Sequence, residues 1–379
     1  MHIIFNGANV RSACPVDSYS HGSVSGVPRK GIISVRGRRT REQLRQHIGA
    51  KPGLVTEVRM QLVYYKSSVP NFGDDLNPEI WPSLRPELFE IKDNRAFVGI
   101  GTIIGRDFDK SLSLNIFASG IGNNPVDSWK ERDTNYICVR GPLSAKLLGL
   151  PDTTALTDGA VVLPQVAGYP KSATSGGRPL IVPHWESFHA PGWEEVAQIT
   201  GYDLLDPRCD PLTAATRISS ASAVLTESLH GAVLADLYDI PWSVFIPSKN
   251  FGVAKWVDWS LSLERQFDAT PIPPPHVKLL EKYGRRPEPY GKAITFTPED
   301  AINDPRLGSD GPARPKSLIG RAKDLFKSAG GLGLVYDCSP ARTAEYLIEM
   351  NAKLQTPSPR RLIERRQAEM LDRLFAIKP

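Results

Sequence analysis

The sequence predicts an α/β protein made of two parallel-sheet halves facing a cleft, followed by C-terminal helices. Three observations carry that prediction. From Met60 onward, short β-branched and aromatic runs alternate with helical periodicity. The alternation stops at a Gly/Ser/Pro-rich stretch, Ala167 to Arg178, and then resumes. Beyond the proline tract Pro271 to Pro275, read as a rigid connector, only helical patterns remain. Each half reads as Rossmann-like, spanning 60–170 and 175–300, with a helical extension over 313–379.

Composition narrows the function classes. A chain of 379 residues, 41% hydrophobic and 23% charged, suits two soluble domains with their own cores. No run of eighteen uncharged apolar residues is present to span a bilayer, and Met1 to Val10 lacks a secretory-type apolar core, so the expected location is the cytoplasm. Cys14, Cys138, Cys209 and Cys338 form no ligand spacing, and neither a disulfide framework nor a metal is expected. Residues 1–59 hold ten Lys and Arg against three Asp and Glu, a net +7, which leaves −2 for the rest of a chain of net +5. The basic character belongs to this leader, which reads either as a disordered arm or as a stretch ahead of a start at Met60; nucleic-acid binding by the body is not expected.

In order, Gln61 to Lys66 is the first strand, and Asn71-Phe72-Gly73-Asp74 is a turn into a helix carrying Ile80 and Trp81, capped by Asp74, Asp75 or Asn77. Arg95 to Ile100 is a strand ending in Gly99, Gly101 and Gly105, whose spacing is not the dinucleotide fingerprint. Leu112 to Ser119 and Tyr136 to Val139 are strands. Arg140 then stands at a strand-to-helix corner, with Gly141 and Pro142 suited to a helix start. Asp158 lies in a short edge segment, Ala155 to Asp158. The second half opens with a strand ending at His184. Helices at Trp193 to Ile199 and Pro211 to Ser219 flank a strand at Tyr202 to Leu205. Ala223 to Thr226 is a buried strand, Glu227 to Gly231 a tight turn, and Ala232 to Tyr238 the start of a helix, which puts His230 at a strand-to-helix corner where ligands collect in open sheets. Pro241 to Pro247 closes the sheet, with Lys249 just past its end. Helices follow at Val277 to Tyr283, Leu318 to Lys327, Ala341 to Leu354 and Arg360 to Ala376. The last is amphipathic and fits either packing on the body or contact with a membrane surface.

Asn71-Phe72-Gly73-Asp74, Arg140-Gly141-Pro142-Leu143-Ser144, Thr157-Asp158 and Glu227-Ser228-Leu229-His230-Gly231 followed by Ile240-Pro241 together resemble the polysaccharide pyruvyl transferases. Tyr64 through Asn77 is similar to the exopolysaccharide, succinoglycan-type branch. The resemblance runs from about Met60 to Lys255. It implies a GT-B-like fold and transfer of pyruvate from phosphoenolpyruvate, a co-substrate and not a cofactor, onto two hydroxyls of a saccharide acceptor, lipid-linked at the inner membrane face. It also implies that His230 and Arg140 hold phosphoenolpyruvate; where Ser228 stands the family often has arginine, and Lys249 is the candidate replacement.

The chemistry asks for the same set. A carboxylate and a phosphate need cations or helix N-termini to offset desolvation. His230 is the expected acid for the methylene carbon, and Asp74 the expected base for the sugar hydroxyl. Arg140 and the helix start at Leu229 receive the phosphate, and Asn71, Gly73, Asp158, His184 and Ser228 complete the binding set. The competing reading is a nucleotide-sugar glycosyltransferase, for which Glu227 is the candidate ribose-binding acid.

Overall fold

Two sheets carry the chain in a computed structural model that describes residues 60–304, 307 and 337–378, apart from 90–93, 110, 123, 131 and 175. The leader expected over 1–59 and the helix expected over Leu318 to Lys327 lie outside the described residues. The first sheet has the order β1 (Gln61–Val63), β2 (Arg95–Val98), β3 (Ser113–Ser119), β4 (Thr134–Val139), all parallel. The second is ordered β10-β9-β8-β7-β5-β6, from β5 (Leu180–Val182), β6 (Asp203–Leu204), β7 (Val224–Thr226), β8 (Trp242–Ile246), β9 (Phe267–Pro271) and β10 (Ile294–Phe296). Here β10 alone runs antiparallel to its neighbour. Strands β5, β7 and β8 are buried along their whole length, the mark of parallel strands covered on both faces.

The chain leaves β5 toward β6 on one side and returns to β7 on the other, so the order reverses between β5 and β7. At such a reversal the connections diverge and leave a crevice beyond the carboxyl ends of the strands. The main helices are α1 (Leu76–Leu84), α2 (Pro142–Leu148), α3 (Trp193–Thr200), α4 (Pro211–Ser220), α5 (Leu229–Leu237), α6 (Val253–Ser262), α7 (Pro340–Asn351) and α8 (Arg360–Ala376). Among the described residues of 166–179 there is no helix or strand, as the composition of that stretch suggests.

Three expectations are corrected. The strand after Pro241 does not close the sheet: α6, β9 and β10 follow, and Pro271 ends a strand instead of opening a connector. Its predecessors Phe267 and Ala269 face the core while Asp268 and Thr270 do not, a two-residue alternation that the neighbouring prolines obscure. Nor do Asp74, Asp75 or Asn77 cap α1; Asp75 holds the cap position, but its carboxylate accepts from the Asn71 amide at 3.2 Å and not from the helix. Asn77 instead donates to the Ile100 carbonyl at 2.9 Å, accepts from the Ile100 N–H at 2.8 Å and accepts from the Trp81 indole at 2.8 Å, which fixes the loop after β2 against α1.

Helix α8 packs on the body. Leu362, Ile363, Met370 and Leu374 are buried, Arg360 donates to the Leu237 carbonyl, and Arg366 donates to that of Ser262. Further along, Arg373 donates to the Ile137 and Thr153 carbonyls, so the helix touches both sheet systems. A second tie between them is polar and fully buried. Arg140, one residue past β4, donates from Nε to Asp258 Oδ2 on α6 at 3.1 Å, and the same carboxylate accepts from the Ser144 amide at 2.8 Å and hydroxyl at 2.6 Å. Both charged side chains have no exposed surface. Gly141 lets the two backbones meet, since a Cβ there would stand 1.9 Å from the Asp258 carbonyl oxygen.

Removing one member of a buried pair strands the other charge. Asp258→Ala is expected to cost about 3–5 kcal/mol of unfolding free energy in urea denaturation, against about 1–3 kcal/mol for Ser144→Ala, which removes the hydroxyl bond to Asp258 and leaves the buried Ile121 amide without its acceptor.

Candidate functional site

The site grows from the β7–α5 corner. The Thr226 hydroxyl donates toward the Val182 and Ser228 carbonyls and accepts from the Ser228 amide at 2.9 Å. This closes the turn early, so α5 begins at Leu229 and not at Ala232. His230 thus sits in the first turn of the helix. Gly231 permits the close approach, because a Cβ there would lie 2.4 Å from Thr226 Oγ1.

The His230 imidazole, from the second sheet, is wedged between Gly73 and Asp158. Gly73 lies flat against it; a Cβ at that position would be 2.0 Å from Nδ1. On the other side Nε2 stands 3.7 Å from Asp158 Oδ2, and both atoms are buried without a hydrogen-bond partner. Asp158 Oδ1 accepts from the Ala160 amide, so the carboxylate is held in place behind the ring. Burial lowers the imidazole pKa below 6.5; the charges of Lys255 and Arg140 push the same way and Asp158 opposes them. At neutral pH the ring is therefore uncharged in the ligand-free protein.

Two carboxyl groups near it move the other way. Asp74 is half-buried and accepts from Asn71 Nδ2 at 2.8 Å; desolvation raises its pKa from 3.8 to about 7. Glu227 is buried, accepts from the His184 amide at 3.0 Å and the Ser187 hydroxyl at 2.7 Å, and desolvation raises it from 4.5 to about 7. Lys255, in the first turn of α6, offsets part of that cost at both carboxyl groups and adds its charge at His230. Arg106, half-buried after β2, lies over the Tyr65 ring at 4.5 Å and also lowers Asp74.

The residues singled out from sequence fall into distinct places. His230, Asp74, Gly73 and Asn71 meet at the junction of the sheets, with buried Ser228 and Leu229 at the start of α5. His184 is bound through its backbone to Glu227. Asp158 is 1% exposed and backs His230, so it faces the ring and not the opening. Arg140 is not at the surface of the cleft: its guanidinium is spent on Asp258, Thr102 Oγ1 and the Ile121 carbonyl and packs against Gly120, so it reaches His230 through its field alone. Full burial requires a carboxylate partner, and α6 supplies it. Lys249 is exposed, its amide donates to the Gly284 carbonyl, and its charge is felt at Glu288. Lys255 and Arg106 are the cations that neighbour the site, and neither stands in a motif that singles it out.

Asp158 raises the His230 pKa, so removing its charge has a definite sign. Imidazole NMR of the full chain is expected to show His230 titrating below pH 6.5, and lower still in Asp158→Asn. Gly73→Ala, which drives a methyl group into the ring, is expected to displace the His230 resonances.

Comparison with known proteins gives a likeness in sequence. The family model described as polysaccharide pyruvyl transferase matches residues 105–249. The succinoglycan biosynthesis protein ExoV of Rhizobium meliloti (strain 1021) is 32% identical over 209 residues, which cover 54% of this chain and 65% of that protein. The chain thus spans less than two thirds of the length of this relative. No solved structure matches. The matched stretch, 105–249, holds Arg106, Arg140, Asp158, Glu227 and His230, and is similar to the polysaccharide pyruvyl transferases.

Proposed function

We propose that this protein transfers pyruvate from phosphoenolpyruvate to two hydroxyls of a sugar in an exopolysaccharide or its lipid-linked precursor, forming a cyclic ketal. The observation that carries this reading is the junction of His230, Asp74 and Glu227 with Lys255 and Arg106, at the carboxyl edge where the strand order reverses. We read the two sheets as a GT-B-like pair with the donor and acceptor meeting between them. Lys255, Arg106 and the N-terminal turn of α5 supply positive potential for a carboxylate and a phosphate, and Arg140 adds its field from beneath. A lipid-linked acceptor is met at the membrane surface; no helix among the described residues is long and apolar enough to cross a bilayer.

His230 begins neutral, and the anionic groups of phosphoenolpyruvate raise its proton affinity on binding, so the ring gains its proton together with the substrate. That proton goes to the methylene carbon, which becomes a methyl group and leaves the adjacent carbon electrophilic. A sugar hydroxyl attacks this carbon and gives its proton to ionised Asp74. The carbon–oxygen bond to phosphate then breaks with its electron pair on oxygen, the second hydroxyl closes the ring, and its proton leaves with the phosphate. Asp158 faces Nε2 throughout and steadies the imidazolium.

A nucleotide-sugar transferase reading asks for a free acid at the second sheet. Glu227 is that acid, but it already accepts from His184 and Ser187.

The purified protein, given phosphoenolpyruvate and oligosaccharide repeats of the host polysaccharide, is expected to release phosphate and add acid-labile pyruvate. His230→Gln is expected to lower the rate roughly 100- to 10,000-fold. A base works only when ionised, and Asp74 is raised to about 7, so kcat/KM falls as pH drops through about 7 and not near 4. Asp74→Asn removes that limb along with most of the rate, whereas Glu227→Gln keeps it. Tight nucleotide-sugar binding with indifference to phosphoenolpyruvate overturns the proposal.

A further inference from the structure

The rim above the site is chemically unlike its floor. Immediately after β5 the chain runs His184-Trp185-Glu186, and all three side chains are half-buried. Glu186 Oε2 accepts from Asn250 Nδ2 at 2.9 Å, which joins the loop after β5 to the loop after β8. The same oxygen stands 3.8 Å from His184 Nδ1. Trp185 lies beside His184 and His189, with ring centroids 5.9 and 6.5 Å away, and outside the buried core. The Tyr65 ring after β1 lies under the Arg106 guanidinium at 4.5 Å, and the charges of Asp74 and Glu186 both act on its phenol. The His184 amide and the Ser187 hydroxyl, which flank Trp185 and Glu186, both donate to Glu227, which ties the rim to the floor of the site.

We infer that Tyr65, Trp185, Glu186 and Asn250 form the subsite for the pyranose ring that receives the pyruvate. This rests on the reading of the site as a pyruvyl transferase and adds where its acceptor is held. A pyranose has apolar C–H faces and a polar edge of hydroxyls. Aromatic faces at Tyr65 and Trp185 match the first, while the Glu186 carboxylate and the Asn250 amide match the second, accepting from and donating to hydroxyls respectively. The carboxylate also sorts the two substrates, since it repels a dianionic enol phosphate toward Lys255 and leaves the rim to a neutral polyol. An acceptor hydroxyl held beside Tyr65 lies next to Asp74, the base that takes its proton.

The test separates the two substrates on the full-length protein. Saturation-transfer NMR reads binding of methyl β-D-galactopyranoside and methyl β-D-glucopyranoside, and calorimetry reads binding of phosphoenolpyruvate. Trp185→Ala and the milder Glu186→Gln are expected to abolish saturation transfer to the glycoside that wild type binds, and to raise the KM for the oligosaccharide acceptor by about tenfold or more. Phosphoenolpyruvate affinity stays within about threefold of wild type in both. Lys255→Ala is expected to do the reverse. Near-UV circular dichroism confirms that each variant is folded. Unchanged glycoside binding in folded Trp185→Ala and Glu186→Gln, no glycoside binding by wild type, or an equal loss of both substrates overturns the subsite. Failure of wild type to bind phosphoenolpyruvate while the glycoside arm behaves as expected overturns the donor assignment and leaves the saccharide site standing.

Discussion

The buried junction of Arg140, Asp258 and Ser144 is the interaction on which the rest of the structure depends. A guanidinium and a carboxylate with no exposed surface each carry a large desolvation cost, and each is tolerated because the other neutralises it. Every partner is fixed: Asp258 takes the Ser144 amide and hydroxyl as well as Arg140, and Arg140 also reaches Thr102 and the Ile121 carbonyl. The junction sets α6 against the β4–α2 corner. Lys255 lies three residues before Asp258 on the same helix, so the contact that anchors this helix also positions the ammonium whose charge reaches Asp74, Glu227 and His230. A residue with the sequence context of an anion contact turns out to be part of the frame itself.

Around that frame the site is poised by desolvation. Asp74 and Glu227 are held near 7, so both carboxyl groups change charge around neutrality, while His230 is held below its ordinary value. Each is displaced from its usual pKa chiefly by loss of water, and a bound dianion would alter the balance at all of them together. Such an arrangement costs stability: ionising a carboxyl group whose folded pKa is raised disfavours the native state as pH climbs past the unfolded value. The aromatic core under the first sheet, with Trp81, Phe97 and Phe117 in mutual contact, and the double anchoring of α8 offset that cost.

The position of Gly73 links backbone to chemistry. It follows Asn71, whose side chain both accepts from the Gly73 amide and donates to Asp74. One short loop therefore holds the Asp74 carboxyl group and leaves room for an imidazole from the other sheet. Any side chain at Gly73 would occupy the place of the His230 ring. Asp158 completes the arrangement from a third stretch of chain, with its own backbone contact holding it still.

What the sequence by itself determined was whatever follows from local period and local turn chemistry. The parallel strands, the corners at Arg140 and His230, the Asn71 to Asp74 turn and the bounds of α8 are set by residues within a few positions of one another. Only the tertiary structure decided what those corners face. Asp258 meets Arg140 from 118 residues away, and Asp158 stands behind His230 from a loop on the other sheet. Lys255 enters from a helix outside the expected elements, and β9 and β10 extend a sheet expected to end at β8. Burial, and with it the proton affinity of every group in the site, belongs to those distant contacts: a side chain's exposure to water depends on what packs over it, which no local stretch of sequence specifies.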